Sequence, residues 1–169
     1  DDDCAAPLAD VMRRAFAAGL PVIGSCNGMQ LAASLLGGAT GASPHGREDG
    51  LAREIRLTES GRNHPMMVGR EVTYSAPCTH RDEVVRLPEG AVRLAGNAHS
   101  EVQAFVCEGD GMSFWGMQYH PEFEPAYLAR YLKAVGKGAE ADLAALAAPE
   151  TPAAARMRTT ELRNWLARF

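Results

Sequence analysis

Two short stretches hold the residues best suited to chemistry. The first is Gly24-Ser25-Cys26-Asn27-Gly28-Met29-Gln30, where a cysteine has a glycine two residues to either side. The second is His120-Pro121-Glu122, where a carboxylate follows a histidine by two positions. A thiol at a tight turn before a helix is pushed out of the backbone and meets the positive end of the helix dipole, which favours the attacking thiolate form. A histidine oriented by a carboxylate on one ring nitrogen keeps the other free to exchange a proton with such a thiol. Each stretch also has a plainer reading. Gly-x-Cys-x-Gly is short enough to be a buried cysteine in a strand-helix turn, and His120 with Glu122 could simply end a strand.

The surrounding pattern says which elements must position these groups. Pro21 to Ile23 are apolar and read as a short buried strand, and Leu31, Leu35 and Leu36 follow at helical spacing until Gly37-Gly38 ends the helix. Before them, Leu8, Val11, Met12, Ala15 and Phe16 share one face of a helix stopped at Gly19. Helix, strand, turn, helix points to an α/β sheet with parallel strands. Residues 40–49 read as loop, with His45 and Arg47 as solvated residues. Leu51 to Thr58 reads as a strand with Leu51, Arg53, Ile55 and Leu57 on one side, and residues 60–67 as loop or one helical turn. Glu71 to Tyr74, Val84 to Leu87 and Val92 to Ala95 read as short strands. Val102 to Cys107 and Met112 to Tyr119 flank Gly109-Asp110-Gly111, a strong hairpin signal, so part of the sheet is antiparallel. That hairpin delivers His120 at a strand end. Polar residues Thr79, His80, Arg81 and Asp82 gather at another strand end, where sites collect in open α/β sheets. Tyr127, Leu128, Tyr131, Leu132 and Val135 form an amphipathic helix. Residues 139–155 read as a helical turn or two and a linker, before a last apolar stripe of Leu162, Trp165, Leu166 and Phe169.

Composition narrows the class. The chain has 169 residues, 46% of them hydrophobic and 22% charged, which suits one globular domain with a real core. A net charge of -4 provides no basic footprint for nucleic acid. No apolar run would span a bilayer. Asp1-Asp2-Asp3 is unlike a secretory leader, so a cytoplasmic location is expected. Four scattered cysteines, Cys4, Cys26, Cys78 and Cys107, contain no Cys-x-x-Cys pair. Neither a disulfide framework nor a metal site is expected, and a reducing compartment is the default.

Together, the two stretches resemble the class I, triad-type glutamine amidotransferases over roughly Leu8 to Val135. Thr79-His80-Arg81-Asp82 resembles a Ser-His-x-Asp segment of the branch that includes GMP synthetases. The resemblance implies an α/β fold: a mixed, mostly parallel open sheet flanked by helices, of flavodoxin-like type. It implies residues 1–136 as the amidotransferase domain and residues 137–169 as a linker and helical tail. It assigns Cys26 as nucleophile, His120 as acid and base, and Glu122 as the group orienting it. Asn27 is expected to lend a backbone oxyanion donor, Gln30 to shape the glutamine pocket, and Thr79 and His80 to line its rim. No cofactor is implied. Three departures stand out: the family's opening strands are missing from the pattern, Ser25 and Asn27 occupy places more often apolar, and Cys78-Thr79 precedes the histidine.

The activity expected from the resemblance is hydrolysis of the glutamine side-chain amide through a cysteinyl thioester. The ammonia would pass to an acceptor on a synthetase subunit or missing segment, because no Walker A loop appears in this chain. The alternative is a stand-alone hydrolase of γ-glutamyl amides or peptides with the same triad. A cysteine-peptidase or chaperone relative is disfavoured by Asn27, where such proteins carry histidine. A degenerate binding domain is disfavoured by the presence of both Cys26 and His120.

Overall fold

A computed structural model describes the backbone from Asp2 to Phe169 and side chains from Ala6 onward. The side chain of Cys4 therefore lies outside the described residues. After α1 (Asp2–Ala17), the Pro21 run becomes β1 (Val22–Ser25), followed directly by α2 (Asn27–Leu35). Next come β2 (Ala39–Ala42), β3 (Glu48–Leu57), α3 (Glu59–Asn63) and a 3-10 turn (Pro65–Met67). Then follow β4 (Thr73–His80), β5 (Asp82–Arg86), β6 (Val92–Gly96), β7 (Ala104–Gly109) and β8 (Met112–Met117). Four helices close the chain: α4 (Pro125–Ala134), α5 (Glu140–Ala147), α6 (Pro152–Arg158) and α7 (Thr160–Arg168).

Six strands form one sheet in the order β1-β8-β7-β6-β3-β4, and β2 pairs with β5 separately. The expected mixed α/β sheet flanked by helices is present. Only β1 with β8 is parallel in the large sheet, and its other four pairings are antiparallel. Short turns link β6, β7 and β8, so the described strands carry less parallel pairing than expected. The β7-β8 turn is the two-residue kind foreseen at Asp110-Gly111, with φ of 49° and 82°.

Local expectations failed where pairing partners are distant. Residues 40–49, read as loop, contribute β2 and the start of β3, whose partners β5 and β4 come some forty and thirty residues later. In β3 the register shifts between Ala52 and Ile55, and Glu54 has a φ of 51°. This bulge turns Arg53 out to solvent and puts Ala52, Ile55 and Leu57 inside, in place of the expected alternation. Residues 71–82, read as a short strand and a polar turn, are mostly one continuous strand, β4. Pro149 and Pro152 do break the tail, but Pro152 sits in the first turn of α6, where its missing N–H costs nothing.

Strand alternation divides the core between the two faces of the sheet. Trp115, Met117 and Tyr119 pack on one face with Ile55, Met66 and Leu94, where the tail adds Trp165. Phe114 packs on the other with Phe105 and with Met29, Ala32 and Ala33 of α2. Since side chains alternate along a strand, Gln118 and His120 follow Phe114 toward α2 while Tyr119 turns to the opposite side. A third cluster joins Leu128 and Leu132 of α4 to Leu146 of α5. Among the described residues no helix is long and apolar enough to cross a membrane.

Candidate active site

Parallel pairing brings the two sequence stretches together. β1 and β8 run side by side with Ser25 opposite Met117, and the N–H of Cys26 donates to the Met117 carbonyl at 2.8 Å. Cys26 thus leaves β1 beside the last residues of β8, three positions before His120. Its backbone takes φ 46° and ψ -108°, outside the regions ordinary residues prefer, and it stands immediately before the first turn of α2. Gly24 makes this turn feasible: a Cβ there would lie 2.8 Å from the Gly28 carbonyl carbon. Gly28 is under no such constraint, because a Cβ on it would meet nothing within 4 Å.

The Cys26 thiol is partly exposed and donates toward the Thr79 carbonyl at 3.8 Å. Cys78 and Cys107 are buried instead, and burial pushes both thiols up from their ordinary pKa. Among the described cysteines, only Cys26 lines a cleft of about 400 Å³, together with Gln30, Arg47, Thr79, His80 and Asp82.

His120 is 9% exposed, and its Nδ1 lies 2.7 Å from Glu122 Oε1. Burial works against the Glu122 carboxylate, but donation from His120 and Ser25 keeps it below the usual carboxylate range. A carboxylate can only accept, so the His120 proton sits on Nδ1. Nε2 is buried and has no hydrogen-bond partner among the described residues. Burial disfavours the imidazolium as well, yet the neighbouring Cys26 sulfur and the hydrogen-bonded Glu122 carboxylate outweigh it and raise the His120 pKa to about 9. The Phe123 ring stacks on the imidazole at 4.4 Å, and the His120 N–H donates to the Pro77 carbonyl at 2.8 Å.

The expected pocket residues divide. Gln30 Nε2 donates to the Asp82 carbonyl at 2.6 Å and to Gln118 Oε1 at 3.1 Å, tying α2 to the cleft wall. Asn27 opens α2 and lines a neighbouring depression with Thr40 and Arg81. Antiparallel register sets Asp49 opposite Thr79 and Glu48 opposite His80. Thr79 Oγ1 accordingly donates to Asp49 at 2.7 Å, and His80 Nε2 meets Glu48 Oε2 at 2.8 Å. His80 therefore borders the cleft with its outer nitrogen already engaged. Glu48, His80 and His99 bring ligand-type atoms within 4.8 Å of one another. The Glu48 carboxylate also accepts from Asn97 and Gln103, so its oxygens are committed to a hydrogen-bond network beneath the cleft.

Sequence reasoning missed Gln118, Phe123 and the function of Ser25, whose Oγ donates to Glu122 Oε1 at 2.9 Å. A signal existed for two of them. Gln118 shares the His120 face by strand alternation, and Ser25 precedes the cysteine on a strand adjacent to the histidine's.

The family model for class-I glutamine amidotransferases matches residues 3–133. This chain belongs to that family. Among curated relatives, a gamma-glutamyl-L-1-hydroxyisopropylamide hydrolase of Pseudomonas sp. is 38% identical over 124 residues, which are 72% of this chain and 42% of that protein. The glutamine-hydrolyzing GMP synthase of Nitrosococcus oceani is 36% identical over 112 residues, 63% of this chain and 21% of that one. The chain thus spans less than half the length of these two relatives. Among solved structures, a glutamine amidotransferase of Thermotoga maritima superposes with a TM-score of 0.73 at 19% identity, covering 95% of this chain and 66% of that one. A glutamine amido transferase of Methylobacillus flagellatus gives 0.70 at 22% identity, covering 95% and 68%. At these identities the superpositions support the fold alone.

Proposed function

We propose that this chain hydrolyses the side-chain amide of glutamine through a cysteinyl thioester, with Cys26, His120 and Glu122 as its triad. The observation that carries this reading is the bond of His120 Nδ1 to Glu122, which leaves Nε2 without a hydrogen-bond partner among the described residues, on a ring that also feels the Cys26 sulfur. The Cys26 sulfur attacks the amide carbon, and the carbonyl oxygen becomes an oxyanion. The first N–H groups of α2, beginning with Asn27, have no partners within the helix and point where that charge develops. Such a donor contributes about 3 kcal/mol in enzymes where one has been removed. His120 protonates the departing nitrogen, which leaves as ammonia. It then takes a proton from water as the hydroxyl attacks the thioester, releasing glutamate and returning the thiol. Gln30, held by Gln118 and Asp82, shapes the pocket, with Thr79 and His80 on its rim. Residues 1–136 form the amidotransferase domain and residues 137–169 its tail. The ammonia is passed to a synthetase partner.

One observation favours a second reading with the same triad. The relative at 38% identity is named as a γ-glutamyl amide hydrolase, and hydrolysis of alkyl γ-glutamylamides requires no ammonia acceptor. Steady-state kinetics of the full-length protein on glutamine and on γ-glutamyl alkylamides separate the two. A higher kcat/KM on glutamine, or glutamine turnover that rises when a synthetase is added, supports the first reading. A higher kcat/KM on alkylamides supports the second, and hydrolysis of neither contradicts both.

A further inference from the structure

The tail reaches back to the segment that carries His120 and grips it on both sides. Arg158, the last residue of α6, donates from Nη1 to the Pro121 carbonyl at 2.5 Å. Its other nitrogens, Nε and Nη2, are held by Glu150 at 2.8 and 2.9 Å, so the guanidinium is fixed before it meets the turn. On the N-terminal side, Tyr119 Oη donates to Glu161 Oε1 at 2.8 Å, and Tyr74 Oη lies 2.9 Å from Tyr119 Oη. Glu161, fully buried at the start of α7, is matched by Arg70 through Nε at 2.9 Å and Nη2 at 2.5 Å. Arg70 Nη2 also donates to the Arg158 carbonyl at 3.3 Å, which joins the two grips.

We propose that α6 and α7 form a clamp on the catalytic loop, in which Arg158 and Glu161 are positioning residues that fix His120 through Pro121 and Tyr119. The proposal rests on the triad reading above for its effect on activity. Neither residue touches the reacting atoms. The loop is nonetheless held from the face of the sheet opposite Cys26, and a peptide tied at both neighbours of His120 cannot tilt the imidazole away from the thiol. A shift of this kind reduces the chemical step more than substrate binding, because near-attack geometry is lost while the pocket remains.

The test measures hydrogen exchange and kinetics on the full-length protein and its Arg158→Ala and Arg158→Lys variants. Arg158→Ala is expected to accelerate amide exchange in residues 118–123 about tenfold and to lower kcat by about tenfold at unchanged KM, as for loss of a charge-assisted hydrogen bond. Arg158→Lys, which keeps a cationic donor, is expected to recover most of kcat. Exchange in that segment within about twofold of the parent, or kcat unchanged in Arg158→Ala, overturns the clamp. Glu161→Gln keeps the shape but removes the buried charge and is expected to loosen the same segment, provided circular dichroism shows the variant folded. If the parent hydrolyses no amide, the triad reading fails and the exchange result alone decides the clamp.

Discussion

Glu122 holds His120 by a 2.7 Å contact from Oε1 to Nδ1, and the same oxygen receives Ser25 Oγ at 2.9 Å. In the proposed triad, the orienting carboxylate is therefore held by a residue adjacent to the nucleophile. One oxygen thus ties the elbow to the histidine loop. Glu122→Gln keeps the size and loses the charge that stabilises the imidazolium. It is expected to lower kcat by up to about 10⁴-fold, against a larger, near-complete loss in Cys26→Ala. Ser25→Ala removes one donor and is expected to cost less than about tenfold. Steady-state rates of the three variants check the order, and equal losses would contradict this division of labour.

The raised pKa of His120 has a consequence for stability. Its value is about 9 in the fold against an ordinary 6.5, so the folded state binds this proton more tightly than the unfolded state. The associated stabilisation is fully present below pH 6.5 and is lost as pH rises through about 9. Urea unfolding of the parent and of His120→Gln is expected to show a stability gap at about pH 6 that narrows by about pH 10. A gap that widens over this interval would show that the fold favours the neutral ring.

The two glycines of the elbow are expected to respond in opposite ways to a methyl group. At Gly24 a Cβ would meet the Gly28 carbonyl carbon at 2.8 Å and its oxygen at 3.0 Å, both backbone atoms that cannot swing aside. Gly24→Ala is expected to destabilise by about 3 kcal/mol or to prevent folding. At Gly28 the methyl meets nothing, and alanine in the first turn of α2 is expected to add up to about 1 kcal/mol. Thermal unfolding of both variants reads the contrast, and a stable Gly24→Ala protein would contradict the geometry assigned to the turn.

What the sequence made legible was local. The elbow followed from Gly24, Cys26 and the leucines of α2, and the hairpin from Asp110-Gly111, because turn chemistry and periodicity act over a few residues. Gln118 went unread, although continued strand alternation past β8 puts it on the face of His120. The fates of Thr79 and His80 were hidden, because Asp49 and Glu48 meet them only through a register set thirty residues away. The bulge at Glu54 left no mark in the hydrophobic pattern. Arg158 and Glu161 were invisible for the same reason as the strand register: a charge pairing with a distant carbonyl or arginine has no period. The tail read as linker because Pro149 and Pro152 break helices in sequence, although Pro152 begins one in the fold.

In the proposed reaction the Cys26 sulfur, activated from His120, attacks a γ-glutamyl carbon. The most direct measurement is labelling of the full-length protein with a glutamine-mimicking electrophile, followed by peptide mass mapping. One adduct is expected, on Cys26, prevented by excess glutamine and abolished in His120→Ala. An adduct on Cys78 or Cys107, or labelling of Cys26 that persists at the parent rate without His120, would contradict it.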